Sequence, residues 1–319
     1  MRDQFNREIN YIRISLTDRC NLKCKYCRPD LSSKLTHADI LTYEEILRLC
    51  QNLVKLGVKR VKLTGGEPLL RKDCVDFLQR LKALEGVEQV TLTTNGTMLR
   101  EHLPTLKAIG IDGLNISLDS CNAKNYAEIT GSDCLEKVLA ALDEAYLAGL
   151  PVKINCVPLS NMQLVDLLAM LELVKERNIP LRFIELMPLS CNSELKGLSG
   201  EAIRKSLCEA GIKLSEEKSL FGNGPAVYYR AEGYTGALGF IEPLHNKFCD
   251  SCNRIRLTAS GLLKPCLYAA ETCDLKALLR NEASDEKLVE ALSQAIYAKP
   301  QGHAFEISPA NFPMSAIGG

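Results

Sequence analysis

The 319-residue sequence has no excess of charge of either sign: 39 Lys and Arg residues balance 39 Asp and Glu residues. A neutral chain has no overall field to draw in nucleic acid or an anionic membrane surface, so any anionic ligand must be held by positive charge gathered locally. Long apolar runs are missing too. No stretch approaches the length that spans a bilayer, and the start, Met1-Arg2-Asp3-Gln4-Phe5, is charged and lacks the apolar segment of a secretion signal. The expectation is a cytoplasmic protein with neither a nucleic-acid nor a membrane partner. Internal repeats and low-complexity linkers are also lacking, and the length suits one large domain with a smaller companion.

What the sequence does have is cysteine, fourteen of them. In a reducing compartment these do not form a disulfide framework, so each needs its own reading. Cys50, Cys74, Cys121, Cys134, Cys156, Cys191, Cys208 and Cys273 are dispersed. They read as small hydrophobes, since free cysteine is among the most buried residue types.

The first 190 residues alternate short β-rich runs with amphipathic helical runs, the pattern of a parallel α/β fold. Strands are expected at 11–16, 58–64, 89–94, 113–118, 152–157 and 181–187. A capping box of Thr42 and Glu45 opens a helix whose stripe is Ile46, Leu49, Cys50, Leu53 and Leu56. Similar stripes are Val75, Leu78 and Leu81, then Val138, Leu139 and Leu142, then Leu164, Leu167, Leu168 and Leu171.

Strands buried on both faces of a parallel sheet read as continuous apolar runs, and these do not. Ile12, Ile14 and Leu16 alternate with Arg13, Ser15 and Thr17; Val61 and Leu63 alternate with Lys62 and Thr64. Leu114, Ile116 and Leu118 alternate with Asn115, Ser117 and Asp119, and Lys153 with Asn155, then Glu185 with Met187, continue the series. Period-two alternation collects the polar residues on one face. With helices on the apolar face, the polar face lines an enclosed lumen, as in a partial (β/α)6 TIM-like barrel; solvent-facing strands are the plainer alternative. After residue 197 glycines cluster, short β runs follow, and helical stretches are expected near 274–281 and 285–297. The division is thus 1–197 for the barrel and 198–319 for a smaller C-terminal α+β domain.

Cys20, Cys24 and Cys27 follow the first strand with C-x3-C-x2-C spacing. Three thiolates from one loop can hold three irons of a [4Fe-4S] cube and leave the fourth open to a small molecule. Zinc would need a fourth ligand such as His37. Cys249, Cys252 and Cys266 form a second group, C-x2-C-x13-C. Its spacing suits a zinc knuckle short of one ligand as well as a second cluster. Between its cysteines, strand alternation would point Arg254 and Arg256 to one side, for a ligand or for surface ion pairs. Thr64-Gly65-Gly66-Glu67-Pro68 ends the second strand and by itself reads equally as a turn before a helix.

The first triad, with Tyr26 before its last cysteine, resembles the radical S-adenosylmethionine superfamily, whose GGEP element Gly65-Gly66-Glu67-Pro68 also resembles. Thr93-Thr94-Asn95-Gly96 and Asn115-Ile116-Ser117-Leu118-Asp119 end strands where such proteins contact the nucleoside of the cofactor. Together with the second triad and the Gly318-Gly319 end, nearly the whole chain is similar to the molybdenum cofactor biosynthesis protein A family, GTP 3',8-cyclases. The resemblance implies two [4Fe-4S] clusters and S-adenosyl-L-methionine, and cofactor contacts at Tyr26, Gly66, Glu67, Ser117 and Met187. It implies nucleotide contacts at Arg13, Lys62, Thr93, Lys153, Arg254 and Arg256. Arg256, Gly318 and Gly319 are implied to serve turnover.

The implied reaction converts GTP to (8S)-3',8-cyclo-7,8-dihydroguanosine 5'-triphosphate, the first step of molybdenum cofactor biosynthesis. A 5'-deoxyadenosyl radical removes the ribose 3' hydrogen, and the carbon radical attacks C8 of guanine. The resemblance further implies an electron donor such as flavodoxin or ferredoxin and a downstream cyclic pyranopterin monophosphate synthase, and it is compatible with a homodimer. One departure stands out: Lys62 occupies a position where this family carries Arg, which keeps the charge and loses the two-pronged fork. Other readings are a peptide maturase of the same superfamily and a non-catalytic iron-sulfur or zinc scaffold.

Overall fold

The computed structural model describes residues 1–27, 35–188, 192, 194–218, 221–222, 224–269 and 273–303. Strands and helices alternate through the first part of the chain: β1 (Tyr11–Ser15), α1 (Tyr43–Lys55), β2 (Arg60–Thr64), α2 (Cys74–Lys82), β3 (Gln89–Thr94) and α3 (Leu103–Ile109). Then come β4 (Gly113–Ser117), α4 (Ala123–Thr130), α5 (Leu135–Leu147), β5 (Val152–Cys156), α6 (Leu164–Lys175) and β6 (Pro180–Ile184). The six strands pair in parallel in chain order. The fold is the partial TIM-like barrel that the alternation predicts.

Its helices form for local reasons. The Thr42 hydroxyl accepts from Glu45 N–H at 3.1 Å and the Glu45 carboxylate accepts from Thr42 N–H at 2.7 Å, so the expected capping box closes over the first turn of α1. Ile46, Leu49, Cys50 and Leu53 of that helix are buried against the sheet, as are Val75, Leu78 and Leu81 of α2. In α6 the buried stripe is Leu167, Met170, Leu171 and Val174, whereas Leu164 is exposed in the first turn.

After residue 197 the chain builds on both edges of the same sheet. α7 (Gly200–Glu209), β7 (Leu214–Glu217), β8 (Val227–Ala231) and β9 (Ala237–Ile241) come first. They are followed by β10 (Arg254–Leu257), β11 (Leu262–Lys264), β12 (Cys273–Asp274), α8 (Leu275–Arg280) and α9 (Asp285–Tyr297). β9 runs parallel to β6 at one edge and β10 runs parallel to β1 at the other. β7, β8, β11 and β12 extend these edges in antiparallel fashion. The loop before β10, with its cysteines, thereby sits across the lumen from β6.

The alternation has the expected sense in β1, β2, β4 and β5, and β3 shares it. Ile12, Ile14, Val61, Leu63, Leu92, Leu114 and Ile154 pack in the core, while Arg13, Thr64, Thr93, Ser117 and Asn155 line the lumen. β6 has the opposite phase to that read from Glu185 and Met187. Phe183 is the core residue and Ile184 lines the lumen; the strand ends there, and Glu185 and Met187 reach the cavity from the segment beyond it. The inward charge of this strand is Arg182, in register with Asn155 of β5.

Of the dispersed cysteines, Cys50, Cys74 and Cys156 are buried and Cys121, Cys134 and Cys273 are half-buried. Cys208 departs from the expectation: it is exposed on α7, where Ile203 and Leu207 are the helix residues that turn inward. Cys191 lies outside the described residues, as do Gly318 and Gly319. Among the described residues no helix is long and apolar enough to cross a membrane.

Candidate functional site

The first thiol loop is pinned on two sides. Lys23 and Lys25 N–H groups donate to the carbonyls of Thr130 (2.8 Å) and Ile129 (2.9 Å). These are the last residues of α4, whose terminal carbonyls have no donor within the helix. On the other side the Asn95 amide, just past β3, donates to Cys20 Sγ at 3.7 Å and to Asn21 Oδ1 at 2.9 Å. The Tyr26 hydroxyl donates to Asp119 Oδ2 at 2.7 Å, and Asp119 Oδ1 accepts Val157 N–H at 2.8 Å. Asn192 closes the loop from below, donating to the carbonyls of Tyr26 (3.1 Å) and Met187 (3.2 Å).

These attachments set the loop's electrostatics. Burial pushes the Cys24 thiol well above its ordinary value, and Asp119 and the neighbouring Cys27 and Cys20 push it the same way. Burial likewise raises Asp119 to about 6. The Cys24 thiol therefore stays protonated at neutral pH and gives up its proton when metal binds.

The Gly65-Gly66 turn presses directly on the segment leading into Cys20. Gly66 N–H donates to the Thr17 carbonyl at 2.7 Å and Glu67 N–H to the Arg19 carbonyl at 2.8 Å. A Cβ at Gly66 would lie 2.1 Å from the Arg19 carbonyl oxygen, and one at Gly65 would lie 2.6 Å from that of Thr17. Only glycine allows this approach. Gly66→Ala is expected to cost about 1–3 kcal/mol of overpacking and to displace the first thiol loop. Iron content and S-adenosylmethionine binding, each measured after reconstitution, are expected to fall together.

Glu67 does not face the cavity. Its carboxylate is buried and accepts from Leu69 N–H (3.1 Å), Thr94 Oγ1–H (2.8 Å) and Asn95 N–H (2.7 Å). Burial raises it to about 7 against the pull of these donors. The side chain staples the end of β2 to the end of β3, and so indirectly holds Asn95 against Cys20.

The lumen below and beside the thiols is crowded with cations. Register places Arg256 of β10, Arg13 of β1 and Lys62 of β2 side by side in one row. Arg182 reaches in from the opposite wall, donating to Asn115 Oδ1 and sharing a hydrogen bond with the Tyr228 hydroxyl. Burial, then Arg13, Arg182, Lys153 and Arg254, drive the Lys62 ammonium well below its usual value. Arg256 falls to about 9 from burial, with Arg13 and Arg254 contributing. The Nε atoms of Arg13, Arg182 and Arg254 are buried with no hydrogen-bond partner among the described residues. Buried donors are nearly always satisfied, so three together mark a place built for an acceptor-rich ligand.

The second triad sits in a different field. Arg254 lies over the Phe248 ring at 5.2 Å and bonds to Cys252. Burial would raise the Cys252 thiol, but Lys299 and Arg254 pull it down to about 7. The first triad is thus held beside a carboxylate and the second beside cations.

All six cysteines line one cavity, and so do Arg13, Tyr26, Gly66, Thr93, Ser117, Met187, Arg254 and Arg256. Three residues singled out from the sequence do not line it. Glu67 is turned into the protein, Lys62 lies within the cation row, and the Lys153 ammonium donates to the Phe221 carbonyl. Asp119, Asn192, Arg182 and Lys299 were not singled out, although Asp119 belongs to the strand-end motif and Arg182 stands between the apolar Leu181 and Phe183. Among the described residues no three His, Cys, Asp or Glu side chains gather tightly enough to hold a single metal ion. A [4Fe-4S] cube takes one thiolate per iron and accepts a wider spread, so an all-thiol loop of three with an open approach fits a cube.

Residues 14–174 match the radical SAM superfamily and residues 179–305 match the Molybdenum Cofactor Synthesis C family. Among curated relatives, the GTP 3',8-cyclase of Thermodesulfovibrio yellowstonii is 40% identical and the match covers 100% of both chains. That of Clostridium perfringens is 39% identical over 96% of this chain and 95% of its own. That of Syntrophomonas wolfei is 41% identical over 95% and 94%. Among solved structures, Streptococcus suis SuiB bound to S-adenosylmethionine superimposes with a TM-score of 0.64 at 15% identity. That likeness covers 96% of this chain and 76% of SuiB and speaks for the fold alone. A thiol loop after the first barrel strand, a glycine turn pressed against it and a second triad across a cationic lumen agree with these matches: the chain belongs to the GTP 3',8-cyclase family of the radical SAM superfamily.

Proposed function

We propose that this chain is a GTP 3',8-cyclase that forms (8S)-3',8-cyclo-7,8-dihydroguanosine 5'-triphosphate, the first step of molybdenum cofactor biosynthesis. The observation that carries the reading is the set of buried guanidinium Nε atoms of Arg13 and Arg254 in a lumen flanked by both thiol triads, with that of Arg182 beyond its lining, none of them with a hydrogen-bond partner among the described residues. Polyanion binding would satisfy those donors and relieve the repulsion among the cations. The family implies a [4Fe-4S] cluster and S-adenosylmethionine, which when bound supply the one-electron chemistry for hydrogen abstraction at the ribose.

The residues are assigned accordingly. Cys20, Cys24 and Cys27 hold the first cluster; Gly66, Ser117, Met187 and the backbone at Tyr26 position S-adenosylmethionine, with Glu67 holding the Gly66 turn in place. Cys249, Cys252 and Cys266 hold a second cluster. Arg13, Thr93, Arg254 and Arg256 receive the nucleotide, with Lys62, Lys153 and Arg182 deeper in the lumen. The enclosing barrel keeps reactants aligned and stray hydrogen donors out. No side chain is assigned as general acid or base. Residues 1–197 serve the cofactor and part of the nucleotide site, and 198–319 complete that site and hold the second cluster, with Gly318 and Gly319, outside the described residues, aiding turnover. A flavodoxin or ferredoxin supplies electrons in the cytoplasm, and a cyclic pyranopterin monophosphate synthase consumes the product.

The test is anaerobic reconstitution followed by incubation with S-adenosylmethionine, a reductant and GTP deuterated at the ribose 3' position. The expected result is about eight irons per chain, an isomer of GTP, and deuterium in 5'-deoxyadenosine. Deuterium that stays on the nucleotide would remove GTP as the substrate.

Nucleotide affinity is expected to depend on pH. Burial and then Arg182 depress the Lys153 ammonium to about 8. A bound polyanion favours its charged form, so GTP binding is strongest below that pH and weakens as pH rises from 7 to 9. Near pH 8 binding is expected to take up protons. Calorimetric enthalpies in buffers of different ionisation heat would reveal that uptake.

A further inference from the structure

Lys299, to which no cofactor or nucleotide contact is assigned, is buried at 1% exposure just beyond α9 and lines the shared cavity. Its ammonium donates to the Arg254 carbonyl at 2.9 Å and to the Pro265 carbonyl, and bonds to the Cys252 thiol. Arg254 lies one residue beyond the neighbour of Cys252 and Pro265 directly precedes Cys266, so one cation ties together the two arms of the second triad. Among the described residues no carboxylate pairs with it; the partners in reach that can carry negative charge are the sulfurs of Cys252 and Cys266. A buried ammonium is costly unless an opposite charge compensates it, and sulfurs ligating a cluster would supply that charge.

The segment carrying Lys299 is itself held in place. Gln4 Nε2 donates to the Lys299 carbonyl at 3.2 Å. The Arg7 guanidinium donates to the carbonyls of Pro300 (2.6 Å), Gln301 (2.8 Å) and Cys249 (2.8 Å). Asp3, buried beside it, fixes Arg7 through Nε at 2.7 Å. The N-terminal hook thus locks Cys249 and the 299–301 strap together, and the strap delivers Lys299 to the other two cysteines.

We propose that Lys299 is the fixed cation of the second thiol site, which sets the spacing of Cys252 and Cys266 and raises the reduction potential of the cluster they carry. The proposal rests on the reading that Cys249, Cys252 and Cys266 hold a cluster. A buried positive charge favours the cluster state with one more electron, and a hydrogen bond to a ligating sulfur acts in the same direction. Lys299 is a positioning residue: it acts through the thiolates rather than on the reacting atoms.

The experiment uses the full chain, reconstituted anaerobically, as parent, Lys299→Met and Lys299→Arg. Iron per chain and the midpoint potential of each cluster, followed by electron paramagnetic resonance, are the readouts. For Lys299→Met the ratio of reduced to oxidised second cluster at fixed potential is expected to fall at least tenfold, a negative shift of about 59 mV for one electron. The first cluster should not move, and Lys299→Arg should restore most of the shift. An unchanged second potential in Lys299→Met would overturn the proposal. Should Lys299→Met fail to load the second cluster, Lys299→Arg decides: loading at the parental potential supports a role for the charge, and failure to load reduces Lys299 to packing. A parent chain with only the first cluster would refute the two-cluster reading itself, and the proposal with it.

Discussion

Cys24→Ala is expected to abolish formation of 5'-deoxyadenosine, whereas Cys252→Ala is expected to retain part of it while making no cyclised nucleotide. The difference follows from what each thiol holds. Cys24 is the middle member of a loop pinned by α4, Asn95 and Asn192. Losing one of three thiolates there removes the cluster on which cofactor cleavage depends. Cys252 lies in the second triad, on the β10 side of the lumen, where it touches Arg254 and Lys299. Its loss leaves the Tyr26–Asp119 bond and the Gly66 turn intact, so the cofactor half should still assemble. Chromatographic yields of 5'-deoxyadenosine and nucleotide product, taken from the same reactions, would check this. Equal residual cleavage in both variants would contradict the division of labour between the triads.

The elements that the sequence makes legible are those fixed by short-range pattern. Six strands follow from alternation, the cap of α1 from Thr42 and Glu45, and the first triad from its spacing. What stayed hidden depends on where distant segments meet. Arg182 is visible as a charge between apolar neighbours, but Glu185 suggests the other phase for β6, and only its register with β5 shows which residues turn inward. The motif containing Glu67 locates the turn without saying that its carboxylate points into the protein toward Asn95, 28 residues away. Lys153 sits on the expected face, yet its ammonium is taken by the carbonyl of Phe221, 68 residues on. α7 is weakly marked in the sequence because its inward stripe is only Ile203 and Leu207, a single i, i+4 pair behind the Ser199 cap. Lys299 follows the last helix with no motif around it, and its meaning comes from folding back onto Arg254 and Pro265.

Arg13→Met is expected to weaken GTP binding by about 1.5–3 kcal/mol, the scale of hydrogen bonds to charged groups, and at the same time to raise the Tm of the ligand-free protein. The two effects have opposite signs for one reason. Arg13 stands between Arg256 and Lys62 in register, and its charge depresses Lys62, Arg182, Arg254 and Arg256 alike. Without a ligand that repulsion destabilises the folded chain, and the Arg13 Nε adds a buried donor with no partner among the described residues. Methionine keeps apolar bulk in the lumen while removing both penalties. With a triphosphate bound, the same charge and donor become favourable, so the variant loses affinity. Part of that loss should be returned by the neighbouring cations, which hold their protons more firmly once Arg13 is gone. A double-mutant cycle of Arg13→Met with Arg256→Ala should therefore show coupling in GTP affinity rather than simple addition. S-adenosylmethionine binding, which depends on the Gly66 turn and the first triad, should hardly change. Thermal unfolding and titration calorimetry on the same preparations would measure both signs, and a variant that lost stability and affinity together would show that Arg13 supports the barrel rather than its ligand.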